Sequence, residues 1–418
     1  MADSPARPVA AIVVAIAALV AGVLIRAVLL PTPGLTGDLD VFVLWTHGIA
    51  VNGLPHAYDQ NLSFPPVMAY IWGVLAAIEP AFKTVTDSSD PAIRALMKTP
   101  ASLADLGLAA LVAFTLRDRP WWAAIGAAAV LLHPAVIDIS AWWGQYESIY
   151  MLSALAAVLC AVRGRNGAAA ALLAVALMTK PQVLPFLLPF AAWFWATGGW
   201  RGLVRAGLIG LAVVVLLWLP FIPAGGPANY LKNLAEYQGD IFNILSLRAW
   251  NLWWLVQSLF AGGGFVADDQ AFLGPVTLRH VGFLVTGILE IVVAVAILRD
   301  PRPRTLVLGL AAATLVAFCF LTSMHERYAY GALVFLMLLI PEARVRWLGV
   351  AFGVVFTLNL LAAVPPTPAI GELLPVDGWL GIVGSIAMLA ITVVCLLSLR
   401  RSDGPAAAPL AAPLASQG

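Results

Sequence analysis

Residues 9–45 read VAAIVVAIAALVAGVLIRAVLLPTPGLTGDLDVFVLW, and this stretch decides the class of fold. Its first part, 9–30, is an apolar run of transmembrane length; about twenty such residues cross a bilayer core as a helix. Arg26, Pro31 and Pro33 close the run in place of a small-residue cleavage site, so it reads as a retained anchor rather than a signal peptide. Directly after it stand Asp38 and Asp40, within Gly37-Asp38-Leu39-Asp40-Val41-Phe42-Val43-Leu44-Trp45. Carboxylates at a membrane face are costly to place, which makes them candidates for function.

The rest of the chain has the same character. Of its 418 residues, 61% are hydrophobic and 11% charged, against roughly 25% charged in soluble domains. Mean hydropathy is +0.92. Lipid is the solvent that suits this composition, and membrane lipid is an expected partner. A net charge of +1 offers no field for nucleic acid, so none is expected. Cys160, Cys319 and Cys395 lie in apolar segments without disulfide or metal-ligand spacing, and read as small core residues.

Apolar segments fall near 9–30, 65–82, 99–116, 121–141, 148–162, 166–179, 182–196, 203–220, 279–298, 305–322, 329–340, 347–364 and 378–399. Short loops carry Arg117 and Arg119, Arg163 and Arg165, Arg201 and Arg205, Arg299 with Arg302 and Arg304, Arg344 with Arg346, and Arg400 with Arg401. The positive-inside rule assigns all of them to the cytoplasm. Alternation then requires 65–82, which begins at Pro65-Pro66, to be re-entrant or interface-lying. The expectation is an all-α polytopic membrane protein of about twelve crossings with both termini cytoplasmic. A competing topology lets 65–82 cross and fuses 166–196, but it exposes the Arg117 and Arg163 loops outside. One transmembrane domain covers 1–402, and the Ala- and Pro-rich tail 403–418 reads as disordered.

Two outer loops are long, 31–98 and 221–278, and long ordered loops tend to be functional. The first is read as catalytic and the second as covering the substrate. Trp250, Trp253 and Trp254 in the second suit an interfacial belt or a sugar platform. No internal repeat, nucleotide-binding glycine loop or zinc-protease motif is present.

Polar groups converge on the outer face. Beside Asp38 and Asp40 come Lys98 and Asp105 in 96–105, then Trp142-Trp143-Gly144-Gln145-Tyr146-Glu147-Ser148, Thr179-Lys180-Pro181-Gln182 and His325-Glu326-Arg327-Tyr328. Acids with Lys, Arg and His suggest a site for an anionic polar substrate at the lipid surface. Sugar transfer from a lipid phosphate to a hydroxyl fits. A carboxylate takes the proton of the attacking hydroxyl, and Arg and Lys neutralise the departing phosphate.

These motifs, in this order, resemble the GT-C superfamily. With Phe42, Trp45, Gly53, Tyr58 and Pro65-Pro66, the 37–66 region looks like the first outer loop of its polyprenyl-phosphate-sugar-dependent mannosyl- and glucosyltransferases. Bacterial mannosyltransferases, the ALG glucosyltransferases and the PIG-M mannosyltransferase show related patterns, and the resemblance covers roughly 9–340. It implies an inverting reaction with Asp38 as general base and Asp40 in a supporting role. His325 is implied near the donor phosphate, with Arg327, Lys180 and Lys98 expected to help bind it. Gln145, Glu147, Trp143, Glu326 and Tyr328 are expected at the sugar or acceptor; Glu147 departs from the Asp more often found there.

The expectation is therefore a glycosyltransferase of the bacterial plasma membrane with its site outside. Its donor is a polyprenyl-phosphate hexose, mannose favoured, and its acceptor a glycolipid or glycan. No cofactor is expected. The bland alternatives are helix capping by Asp38 and Asp40, a divalent metal held between them, and snorkelling of Lys98 and Lys180. A transporter is the rival function.

Overall fold

The computed structural model describes residues 6–262 and 264–400. The tail 403–418 lies outside the described residues. In chain order the first helices are α1 (Ala6–Leu29), α2 (Thr36–Asn52), α3 (Pro66–Ile78), α4 (Pro91–Thr115), α5 (Pro120–Leu132), α6 (Pro134–Ile137), α7 (Glu147–Val162), α8 (Asn166–Leu177) and α9 (Leu187–Trp218). Then come α10 (Gly226–Asp240), β1 (Ser246–Leu247), α11 (Leu252–Phe260), β2 (Ala271–Leu273), β3 (Val276–Thr277), α12 (Leu278–Arg299) and α13 (Pro303–Phe320). The chain closes with β4 (Met324–His325), α14 (Tyr330–Leu338), α15 (Ala343–Ala363), α16 (Pro368–Leu373) and α17 (Trp379–Ser398). It is an all-α polytopic membrane protein.

Proline sets many of these boundaries. Pro66, Pro91, Pro120, Pro134 and Pro303 each occupy the first helical position, where no intrahelical N–H is lost and φ is already suitable. Asp90 caps α4 through the Ala92 amide at 2.7 Å, and Asn251 caps α11 through Trp254 at 2.9 Å.

Among the described residues, seven helices are long and apolar enough to cross a bilayer, or eight if the bent pair 120–143 counts as one. That is fewer full-length spans than the sequence predicts. Pro and polar residues near the site shorten several legs: α7 has 16 residues, α8 has 12 and α14 has 9. α9 reverses at Gly199 (φ 62°, ψ −164°). A Cβ on Gly202 would lie 3.1 Å from the Phe194 carbonyl oxygen, whereas eight residues of unbroken helix would separate them by about 12 Å. The two apolar segments read there are the legs of this hairpin. α3, with 13 residues, is about 20 Å long and cannot cross alone; it packs on α2 instead.

α13 is the axis of the bundle, buried without a break from Thr305 to Cys319. Phe335 of α14 meets Phe186 edge-on against it. A second core gathers Leu39, Phe42, Trp45, Tyr58, Trp72 and Tyr146, so α2 and α3 are clamped to the 142–147 turn by aromatic packing. Trp72 Nε1 donates to Tyr146 Oη at 3.1 Å within it. The arginine loops meet at the other end of the bundle. Arg117 and Arg163 both stack on Phe114, Arg346 lies over Trp122, and Arg304 pairs with Glu342 at 2.8 Å.

Candidate active site

A cleft of about 510 Å³ opens at the end of the bundle away from those arginines. Asp38, Trp143, Gln145, Lys180 and the whole run His325-Glu326-Arg327-Tyr328 line it. Four separate motifs of the sequence thus meet in one place.

Each motif arrives by a local device. Asp38 lies in the first turn of α2, where the helix dipole favours negative charge. Trp143 closes a π-helical segment, Asp138–Trp143, a wide turn that recurs at functional sites. Gly144 then takes φ 88°, and a Cβ there would meet Leu39 Cδ2 at 2.8 Å and Lys98 Cγ at 2.9 Å. Only glycine brings the turn this close to α2. Lys180 precedes Pro181 and is extended (φ −155°, ψ 136°), as a residue before proline prefers. His325 is fixed by β4, which pairs in parallel with β1, Leu247 opposite His325. Both sides of that pair carry non-glycine residues with positive φ, Arg248 (62°) and Ser323 (60°). Backbone strain of this kind persists where surrounding structure imposes it.

The polar contacts form two linked groups. One Asp38 oxygen, Oδ2, accepts from Trp143 Nε1 at 2.9 Å and from Gln145 Nε2 at 2.5 Å. Glu147 is buried at the start of α7 and takes Lys180 Nζ at 2.5 Å and Arg327 Nε at 3.4 Å. Arg327 also donates to Glu326 at 3.1 Å and lies over the Trp143 ring, 4.8 Å from its centroid. Lys180 Nζ is 3.4 Å from Gln145 Oε1, which joins the two groups. Burial pushes the Lys180 ammonium down to about 8, with Arg327 adding to the shift and Glu147 opposing it. Burial and Arg327 also hold the His325 imidazole below its usual value, despite Glu326. His325 packs edge-on against Tyr328 and Phe242.

Not every predicted residue arrives. Asp40 turns away: its Oδ1 accepts from the Ser88 amide at 2.8 Å and the Ser88 hydroxyl at 2.6 Å. Lys98 is fully buried beneath Gly34 and Gly144 and donates to the Thr32 carbonyl at 2.7 Å. Neither lines the cleft. Asp38 and Asp40 face opposite ways and do not fit a shared metal ion, and no cluster of three His, Cys, Asp or Glu suited to a metal occurs among the described residues. Asp105 is not an outer-face group either. It is buried against Arg26 at 2.8 Å and accepts from Ser140 at 2.5 Å and from Ser148. Trp250, Trp253 and Trp254 form neither a belt nor a platform. All three are buried, Trp250 and Trp254 against glycines of α17.

Residues 56–369 match the ALG6, ALG8 glycosyltransferase family, well over half of the chain. The chain belongs to that family. It is a membrane glycosyltransferase of GT-C type, and an enzyme that moves a sugar from a donor to an acceptor. No curated protein matches the chain significantly. The matched region includes Gln145, Glu147, Lys180 and 325–328, whereas Asp38 and Asp40 precede it.

The cleft also holds residues that the sequence did not single out for a role: Ser63, Phe64, Gln182, Tyr237, Phe242 and Arg248. Arg248 was the most findable of them. It is an arginine in a long loop on the side where the positive-inside rule expects few, and it is tied by Nη1 to the Ala363 carbonyl at 3.0 Å. Tyr237, on α10, has its phenol pushed up by burial, with Asp38 nearby adding to the shift.

Proposed function

We propose that this enzyme transfers a hexose, mannose by preference, from a polyprenyl-phosphate donor to an acceptor hydroxyl at the outer face of the bacterial plasma membrane. The acceptor is a glycolipid or glycan. The observation that supports this most directly is one cleft holding a pinned carboxylate, Asp38, together with Lys180, Arg327 and His325. Trp143 and Gln145 occupy Oδ2, and no other hydrogen bond is made by the Asp38 carboxylate among the described residues. Oδ1 is thus the oxygen available to a substrate hydroxyl.

In the proposed reaction the acceptor oxygen attacks the anomeric carbon from the face opposite the phosphate. Its proton passes to Asp38. The bond from the anomeric carbon to the phosphate oxygen breaks, and the electron pair leaves with polyprenyl phosphate. One displacement inverts the anomeric centre and requires no covalent enzyme intermediate. Lys180 and Arg327 neutralise the leaving phosphate; both side chains are buried, where such donors act strongly. Arginine loops at the far end of the bundle support an outward-facing cleft by the positive-inside rule.

The test is Asp38→Asn in proteoliposomes supplied with labelled polyprenyl-phosphate mannose or glucose. Asn still accepts from Trp143 and Gln145, so folding and donor binding are expected to survive. Loss of a general base costs about 10²- to 10⁴-fold in rate. Transfer at the wild-type rate would remove Asp38 from the mechanism.

A further inference from the structure

The loop between α11 and α12 ends in a short hairpin. β2 and β3 pair antiparallel, and Gly274 turns the tip with φ 56°. All three residues of β2 are exposed. Phe272 is 64% and Leu273 74% exposed, and Val276, paired with Leu273, 40%. Phe265, on the same loop, is 60% exposed, and Phe260, the last residue of α11, 83%. Large aromatic and aliphatic side chains seldom stand in water in such a concentration.

The hairpin is not loosely hung. The Leu278 amide donates to Gln270 at 3.0 Å, and the Arg279 amide to Asp268 at 2.8 Å. The buried Asp268 carboxylate takes Arg279 at 2.5 and 2.9 Å and the Thr322 hydroxyl at 2.6 Å. These bonds fasten the hairpin to the first turn of α12, a candidate span of mean hydropathy 2.6. Phe283 and Leu284, just inside that helix, are 59% and 64% exposed. The exposed apolar hairpin is therefore fastened directly to a candidate membrane span that itself carries exposed apolar side chains. The polar residue Asp269 is turned elsewhere and takes a hydrogen bond from Asn243 at 3.1 Å.

We infer that the 271–277 hairpin is an interfacial anchor, its Phe272-Leu273 tip seated in the acyl region of the leaflet at the cleft end of the bundle. Direct attachment to a candidate membrane span selects lipid as its partner over a second protein. The anchor acts on the cleft through the loop it belongs to. The Leu245 amide donates to Val266 at 2.8 Å and the Ser323 amide to Ile244 at 3.0 Å, so 242–248, which lines the cleft, is tied to the same unit. The inference holds whatever sugar the enzyme transfers.

The test places a nitroxide at Phe272→Cys, and separately at Leu273→Cys, in full-length protein with its native cysteines replaced, reconstituted in phospholipid nanodiscs. Asp269→Cys is the aqueous control. Collisions with oxygen, which concentrates in lipid, are compared with those of a water-soluble nickel chelate. The expected result is a shift of the ratio toward oxygen at both tip positions relative to 269. A ratio at the tip equal to that at 269 would overturn the anchor. So would poor access to both quenchers, which would indicate a protein partner over the tip.

Discussion

If Lys180 neutralises the donor phosphate, transfer must fail as the lysine loses its proton. Burial holds its pKa at about 8, well below the ordinary 10.5. The free enzyme then carries this charge on about nine-tenths of molecules at pH 7 and about one-tenth at pH 9, so kcat/KM for the donor falls about tenfold. The proposed donor is a phosphodiester and does not titrate in that window. Tyr328 is pushed up to about 12, and His325 lies below its usual 6.5, so neither supplies the alkaline limb. The sign of a second effect follows from the same geometry. Glu147 stabilises the charged lysine at 2.5 Å, so Glu147→Gln moves the limb to lower pH. Lys180→Arg abolishes it, because a guanidinium stays protonated throughout. The assay is initial-rate transfer at subsaturating donor, with protein integrity checked at each pH. A flat wild-type profile between about pH 7 and 9, or an unmoved limb in Glu147→Gln, would refute the assignment.

Three further outcomes are expected. Gly144→Ala drives a Cβ into Leu39 and Lys98 at a positive φ; thermal unfolding in detergent should show a loss of about 1–3 kcal/mol, and transfer should fall because the turn carries Trp143 and Gln145. Asp105→Ala strands the buried Arg26 guanidinium, which costs about 3–5 kcal/mol and should appear as a lowered midpoint or poor recovery of folded protein. Asp268→Ala releases Arg279 and Thr322; limited proteolysis should cut 241–278 faster and kcat/KM should drop, while the bundle's unfolding midpoint stays near wild type.

The membrane class and much of the site were legible because they depend on local pattern. Apolar length identified the membrane class but gave more full-length spans than the seven or eight found among the described residues, and arginine placement separated the two ends of the bundle. Lys180, His325, Glu326 and Arg327 stood out as ionisable groups where such groups are scarce, and all of them line the cleft. Lys98 has the same scarcity, yet its burial under Gly34 and Gly144 follows from two positive-φ turns that pattern does not reveal. The tryptophans near 250 misled for a related reason. Interfacial and buried tryptophans look alike in sequence, and only Gly381 and Gly384 on a helix more than a hundred residues away make the space that buries them. Arg248 reaches the cleft through the pairing of β1 with β4, a contact between segments nearly eighty residues apart.

The two acids after the first span show how secondary structure decides chemistry. In an irregular loop, residues two apart can converge on one ligand, which is why a shared metal or a paired role for Asp38 and Asp40 was a fair alternative. Here both lie on α2. At 3.6 residues per turn, two positions differ by about 200° around the axis. One carboxylate must therefore look away from whatever the other faces. Asp38 faces the cleft, with Oδ2 fixed by Trp143 and Gln145. Asp40 faces Ser88, where it fastens the start of α2 to the segment that leads into α4. That contact fixes the rotation of α2, and the rotation of α2 aims Asp38. The proposed support of the base by Asp40 would then act through the backbone of their helix, at a distance from the substrate.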